Sequence, residues 1–293
     1  MTYPHRRSAV LHRATGTCWR RPAAVAAAVL AAWSAAPARV AAQQTPPRSD
    51  VFVLATLYGR HASTPAYDHD VLRRIITRIA PEVVVLDVSP RELREQAVAP
   101  SKREYPQVIF PLVREHRYRA YAGEPDEPEF SAIVGRLGRA LAGFRADHPA
   151  LATADRAYED ATFGALAAVW RTPADVNGAL TDRLVTARRA YQDHVAGPVV
   201  AEVWRLWNEH AVAVVRRAQR EHPGRRILVL IGVENAASLR GALQHVPEVR
   251  IVDMESWLRA HDVGAAPPPS AARMDGASDH EPAPERRSRD GAS

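Results

Sequence analysis

The sequence predicts an α/β fold: a mainly parallel sheet of about five strands with flanking helices and a helical insertion before the penultimate strand. Short, continuously apolar runs rich in Val and Ile indicate strands that are buried on both faces, as in parallel sheets, because half-exposed strands alternate apolar and polar residues. Segments with helical periodicity separate these runs, and residues 130–222 show helical periodicity alone.

Three strands are predicted in the first half of the α/β region. Apolar runs at residues 51–57 and 83–88 predict the first two strands, and a weaker run at 118–122 predicts the third, preceded by a helix around 108–116. The helix between the first two strands is marked by apolar residues that share one helical face: Val71, Leu72, Ile75, Ile76 and Ile79. This alternation of strand and helix is typical of parallel pairing.

The strand pattern stops at about residue 130 and returns near the carboxyl end of the domain. Residues 130–222 predict an insertion made only of helices. The very apolar run at 227–231 then predicts a fourth strand, which is followed by a helix over 236–244. A fifth strand is predicted at 250–253, and a last short helix runs through Trp257.

Both ends of the chain are predicted to lie outside the folded domain. Residues 1–42 combine arginines, no acidic residue, an apolar run at 23–36, and small residues before an expected cleavage after Ala42, which is the pattern of an export signal. The apolar run is about half the length that crosses a bilayer, so no permanent span is expected after cleavage. The expected organisation is a signal peptide, a spacer, an α/β domain and a disordered tail, over residues 1–42, 43–49, 50–263 and 264–293. The mature protein is therefore expected in the periplasm or outside the cell.

Charge and cysteine content narrow the function classes. The formal charge of +6 comes from 39 basic and 33 acidic residues, and six of the basic residues belong to the predicted signal segment. The remaining chain is close to neutral, which argues against a nucleic-acid partner. The single cysteine, Cys18, also lies in that segment, so the mature domain is expected to have neither a disulfide nor a thiolate nucleophile.

Polar side chains follow each of the first four predicted strands. Ligands of parallel sheets bind at the carboxyl ends of the strands, so these residues are candidates for a common site. They are Tyr58 and His61 after the first strand, Asp87 after the second, Glu124 after the third, and Glu234 and Asn235 after the fourth. Such a rim could bind a divalent cation that activates water, or could perform acid–base chemistry directly. The alternative for each is an ordinary polar residue at the start of a loop.

Two further features have both a functional and a structural interpretation. Glu104 precedes a helix, where it could point into the cleft or could simply complement the helix dipole. Trp204, Trp207 and His210 share a helical face, where they could flank a planar ligand such as haem or pack into the core.

Two segments of the chain carry motifs that resemble those of a known group of proteins. Residues 53–90 contain an A-T-L-Y turn, a helix and V-V-V-L-D, and they resemble the opening of the TraB/GumN group, which is similar to the ChaN-like and erythromycin-esterase-like proteins. Residues 228–239, L-V-L-I-G-V-E-N-A-A-S-L, resemble its G-x-x-H strand end followed by a helix. Three positions depart from the family pattern: Tyr58 and Asn235 stand where the family carries His, and Asp87 stands where it carries Glu.

The resemblance implies an exported hydrolase that acts on an unknown small-molecule or peptide substrate, with or without a divalent metal. The catalytic candidates are Tyr58, Asp87 and Asn235, at positions that the resemblance selects, and Glu124 after the third strand. Under the hydrolase hypothesis the expected metal ligands are His61, Asp87 and Glu234, with His61 and Glu234 replacing ligands that the family pattern would supply. The three departures leave an alternative, a pseudoenzyme that binds a peptide, haem or small ligand in the same cleft. If Asp87 and Glu124 meet, they should repel each other unless a cation or an arginine such as Arg60 lies between them.

Overall fold

The computed structural model describes residues 47–263, which contain a five-stranded, all-parallel sheet flanked by helices. The predicted α/β fold class is therefore confirmed. The strands are β1 (Ser49–Thr56), β2 (Val83–Leu86), β3 (Arg119–Ala122), β4 (Ile227–Gly232) and β5 (Val249–Ile251), arranged in the order β3-β2-β4-β1-β5. The predicted signal peptide, most of the spacer and the predicted disordered tail lie outside the described residues.

Helices surround the sheet and also form the insertion. They are α1 (His69–Ile79), α2 (Pro90–Glu95), α3 (Phe110–His116), α4 (Glu129–Asp147), α5 (Pro149–Val169), α6 (Pro173–Val176), α7 (Ala179–Ala196), α8 (Pro198–Glu221), α9 (Val233–Leu243) and α10 (Met254–His261). Helices α4 to α8 follow β3 and precede β4, which confirms the helical insertion before the penultimate strand. None of the helices within 47–263 is both long and apolar enough to cross a membrane.

The strand order places the ends of β1, β2 and β4 side by side. Strand β4 pairs with β1 from Val51↔Ile227 to Thr56↔Gly232, and it pairs with β2 on its other side. The side chains of β4 are buried along its whole length, as its continuous apolar sequence predicts. The chain thus leaves the sheet after β3, builds the insertion, and returns to the centre of the sheet. The residues that follow these three strands consequently meet at one edge.

Helix α1 begins and ends at residues that the sequence marks as helix boundaries. The Asp68 side chain accepts a hydrogen bond from the Val71 N–H at 2.8 Å, which satisfies one of the free donors at the helix start. The five apolar residues predicted to share a face are all buried. Ala80 ends the helix in the left-handed conformation, with φ of 48°, immediately before Pro81.

The helix predicted at 108–116 begins earlier than expected, and its first turn is π-helical. A π-helical turn over Tyr105–Ile109 leads into α3, and prolines lie in the first turn of both segments, at Pro106 and Pro111. Pro106 lies in the first turn of this helical segment, where the missing N–H has no helical partner, whereas Pro111 lies farther along and cannot donate to the residue four positions earlier. The wider turn accommodates that missing hydrogen bond.

Side chains cover the part of β1 that β5 leaves open. Strand β5 pairs only with the first three residues of β1. Farther along, the Ala55 N–H donates to Asn177 Oδ1 at 2.8 Å, and the Ala55 carbonyl accepts from the Tyr67 hydroxyl at 2.9 Å. Arg240 Nη1 donates to the Val53 carbonyl at 3.1 Å. The open edge is therefore satisfied without another strand, and Asn177 attaches the insertion to the sheet.

Candidate functional site

Asp87, the residue directly after β2, is the centre of a polar cluster at the carboxyl edge of the sheet. Its Oδ2 accepts hydrogen bonds from the Tyr58 hydroxyl and from the Gly232 N–H, the latter at 3.3 Å. Its own N–H donates to the Tyr105 hydroxyl at 3.0 Å. One buried carboxylate thus joins the ends of β1, β2 and β4. The structure places two predicted site residues, Tyr58 and Asp87, in direct contact.

Lys102 connects Asp87 to Glu124, the candidate that follows β3. Its Nζ donates to the Asp87 carbonyl oxygen at 2.5 Å and to Glu124 Oε1 at 2.6 Å. The sequence predicted that a cation or Arg60 would lie between Asp87 and Glu124. In the structure, Arg60 pairs with Glu234 at 3.2 Å. The positive group next to Glu124 is therefore a lysine from the loop after α2.

Burial and the neighbouring charges change the pKa values of both Lys102 and Glu124. Burial raises the pKa of Glu124 to about 7, with Lys102 opposing the rise and Asp87 adding to it. Burial lowers the pKa of Lys102, but the carboxylates of Asp87 and Glu124 outweigh that effect and raise it overall. The ammonium stays charged at neutral pH, while Glu124 is close to its own titration midpoint.

Tyr58 reaches Asp87 because of its backbone conformation and because Gly232 has no side chain. Tyr58 has a φ of 51°, in the left-handed region that side chains rarely adopt. A Cβ on Gly232 would lie 2.5 Å from Cε2 and Cζ of the tyrosine ring, which is closer than atoms can approach. The glycine at the end of β4 is therefore needed for the Tyr58–Asp87 hydrogen bond.

Replacing Gly232 with alanine should lower the free energy of unfolding by about 1–3 kcal/mol, because the added methyl group pushes the Tyr58 ring away from Asp87. The control is Gly241→Ala in α9, where no described atom lies within 4 Å of the added Cβ. That change should stabilise the helix by about 0.5–1 kcal/mol. Denaturant titration measures both variants, and equal effects at the two glycines would contradict the proposed packing.

His61 has a structural role in this arrangement. Its Nε2 accepts a hydrogen bond from the Leu57 N–H at 3.0 Å, and its Nδ1 donates to the Tyr67 carbonyl at 2.6 Å. The residue is 1% exposed, and burial lowers its pKa to about 4, so the ring is neutral. Both ring nitrogens are thus committed to backbone groups, which leaves neither free to bind a metal.

The predicted metal ligands do not form a ligand set. Within residues 47–263, no three or more His, Cys, Asp or Glu side chains are grouped so that they could hold an ion. Glu234 is paired with Arg60, and Asp87 already accepts two hydrogen bonds at Oδ2. The residues at this edge therefore do not fit the divalent site expected from His61, Asp87 and Glu234.

Glu234 and Asn235 follow β4 in the first turn of α9 and differ in exposure. Asn235 is buried, whereas the side chains of Glu234 and its partner Arg60 are 33% and 39% exposed. Glu234 also lines a cavity whose walls include neither Asp87 nor Glu124. The predicted residues thus divide into three groups: the buried network of Tyr58, Asp87 and Glu124, the separately buried His61 and Asn235, and a half-buried ion pair in which Glu234 lines a neighbouring cavity.

Glu104 is a buried acid whose environment the sequence did not reveal. It is completely buried, and neither of its carboxylate oxygens has a hydrogen-bond partner among residues 47–263. Burial raises its pKa to about 7, against smaller opposing effects from its own backbone N–H, Thr56 and Lys102. Its side chain makes no capping hydrogen bond to the following turn. In the sequence, only its position before a helix start marked it.

Comparison of this chain with known protein families, with characterised proteins and with solved structures gave no match. The function must therefore be inferred from the residues of the site.

Proposed function

We propose that this chain is an exported hydrolase of the TraB/GumN kind, and that Asp87, Lys102 and Glu124 are its acid–base centre. The observation that carries the proposal is the buried Glu124 carboxyl in contact with the Lys102 ammonium at 2.6 Å, at the edge of the sheet where burial raises the pKa of Glu124 to about 7. A general acid or base works best when its pKa is close to the working pH. The location supports the same conclusion, since ligands bind at the carboxyl edge of parallel sheets.

In the proposed hydrolysis, each side chain of the network around Asp87 has a role. The Glu124 carboxylate takes a proton from water as the water oxygen forms a bond to the substrate carbonyl carbon. The protonated Glu124 then gives that proton to the leaving group as the bond to it breaks. The Lys102 ammonium stabilises negative charge on the carbonyl oxygen, which is the task that a metal ion performs in other hydrolases. Asp87 and Tyr58 hold the network in place through their mutual hydrogen bond.

Replacing Glu124 with glutamine tests the proposal. With a panel of p-nitrophenyl esters as substrates, kcat/KM should fall at least about 100-fold, because the side chain keeps its shape but loses its proton transfer. The wild-type rate should change with pH around the Glu124 pKa of about 7, and this inflection should disappear in the variant. A chelator should leave the wild-type rate unchanged.

The control is Glu129→Gln at the exposed start of α4, which should not change the rate. Full activity in Glu124→Gln, or loss of wild-type activity with the chelator, would contradict the proposed centre.

A second candidate, a ligand-binding pseudoenzyme, is favoured by a separate observation. Asp87 Oδ2 is already bonded to Tyr58 and Gly232, and the cavity near this edge is lined by Glu234 and by neither Asp87 nor Glu124. In that case no ester of the panel would be hydrolysed by the wild type, and Asp87→Asn would leave ligand binding intact.

A further inference from the structure

A cavity of about 170 Å³ lies where the helical insertion meets the start of α9, and it is partly open to solvent. Two aromatic side chains, two arginines and two acids contribute to its walls: Phe163, Trp204, Arg188, Arg189, Glu159 and Glu234. The Arg60 guanidinium stacks on Phe163 at 4.0 Å from the ring centre and links this cavity to the sheet edge. The cavity therefore combines apolar walls with charged groups.

Most charged groups in these walls already have partners. Arg188 Nη2 donates to Glu159 at 2.7 Å, and Arg188 also lies 3.4 Å from Asp155. Glu234 pairs with Arg60 at 3.2 Å. Their charges are thus balanced within the protein.

Arg189 is the exception, because it forms no ion pair with any residue of the described range 47–263. Its Nη1 donates to Gln192 Oε1 at 3.0 Å, and its guanidinium lies 3.8 Å over the Trp204 ring. Burial lowers its pKa, although Glu234 and Asp193 are near enough to oppose that effect. A half-buried cation without a contacting anion costs stability, so a bound anion would relieve that cost.

We infer that this cavity binds a small organic monoanion, a single carboxylate on a flat apolar body, with Arg189 as its partner. The planar guanidinium offers paired N–H donors that match a carboxylate. Phe163 and Trp204 provide the apolar walls, and the volume is similar to the ~150 Å³ cavity that is known to hold benzene. Glu159 and Glu234 disfavour a ligand of higher negative charge. The inference goes beyond the proposed hydrolase, since such binding does not depend on Glu124.

Benzoate and benzamide are probes that have nearly the same shape and differ in charge. In calorimetric titrations of the wild-type protein, benzoate should bind saturably and at least about tenfold more tightly than benzamide, because only benzoate pairs with Arg189. Equal affinities, or no saturable binding of benzoate, would overturn the inference. This comparison needs no variant and is therefore independent of any effect on folding.

Variants identify the residue responsible. Arg189→Gln should weaken benzoate binding at least about tenfold while the protein stays folded, which its circular dichroism spectrum checks, because the variant loses the stacking on Trp204 but no ion pair. Arg183→Gln, an exposed residue of the same helix, is the matched control and should bind benzoate as the wild type does. Glu124→Gln should also bind normally, which separates this site from the proposed acid–base centre. Unchanged benzoate binding in Arg189→Gln would assign the ligand to another site.

Discussion

Replacing Lys102 with methionine is expected to lower the free energy of unfolding by about 1–3 kcal/mol, the usual cost of leaving a buried acceptor without its donor, because Glu124, with a pKa of about 7, takes up a proton when the ammonium is removed. The side chains of Lys102 and Glu124 are 15% and 5% exposed, so water cannot replace the lost ammonium efficiently. The Asp87 carbonyl would lose the same donor. Methionine matches the length of the lysine stem, so the change removes charge and hydrogen bonds and keeps most of the packing.

A double-mutant cycle separates the ion pair from the packing. Adding Glu124→Gln to Lys102→Met should recover part of the lost stability, because glutamine carries no charge and needs neither the missing ammonium nor a proton taken up on folding. The control is Arg91→Met, whose partner Glu95 is exposed, and which should be indistinguishable from wild type. Denaturant titrations of the four proteins of the cycle measure the coupling. Strictly additive effects would show that Lys102 and Glu124 do not interact.

The sheet was the most predictable part of this molecule. Strands buried on both faces, such as β4, have continuous apolar sequences that stand out from the helical periodicity around them. The strand order was not predictable, because the apolar runs of β1, β2 and β4 are chemically alike. The central position of β4 follows from the path of a long insertion, and local sequence does not specify that path.

The site was predictable only where its residues directly follow strands. Tyr58, Asp87 and Glu124 could be selected because parallel strands bring their carboxyl ends to one edge. Lys102 comes from a loop whose course depends on tertiary packing, so nothing in the sequence marked it, whereas Glu104 was marked only by its place before a helix. His61 was expected as a metal ligand, but its partners are the backbone groups of Leu57 and Tyr67, and such partners are invisible in a sequence.

Two departures from the TraB/GumN pattern are in contact with each other. Tyr58 stands where the resemblance expects His, Asp87 stands where it expects Glu, and the two side chains form a hydrogen bond. Asp is one methylene shorter than Glu, and the tyrosine hydroxyl extends farther from the backbone than an imidazole does. The longer reach of the Tyr58 hydroxyl therefore compensates for the shorter side chain of Asp87, so the two groups can still form a hydrogen bond. This supports a common role for these two positions in the proposed centre.

Replacing Glu104 with glutamine should stabilise the protein in a way that depends on pH. Burial raises the folded-state pKa of Glu104 to about 7, from an ordinary value of 4.5. Between these two values the folded state holds the proton and the unfolded state releases it, so stability falls as the pH rises. The stabilising effect of this raised pKa is fully present below about pH 4.5 and is lost above about pH 7. A shift of this size corresponds to about 3 kcal/mol.

Glutamine resembles the protonated acid and cannot ionise, so the variant avoids this loss. The difference in unfolding free energy between Glu104→Gln and wild type should be small at pH 4 and should reach about 3 kcal/mol in favour of the variant at pH 8. Denaturant titrations at several pH values give the two curves. The control is Glu129→Gln, an exposed acid that should show much less change with pH. Parallel curves for Glu104→Gln and wild type would mean that burial does not raise the pKa of Glu104.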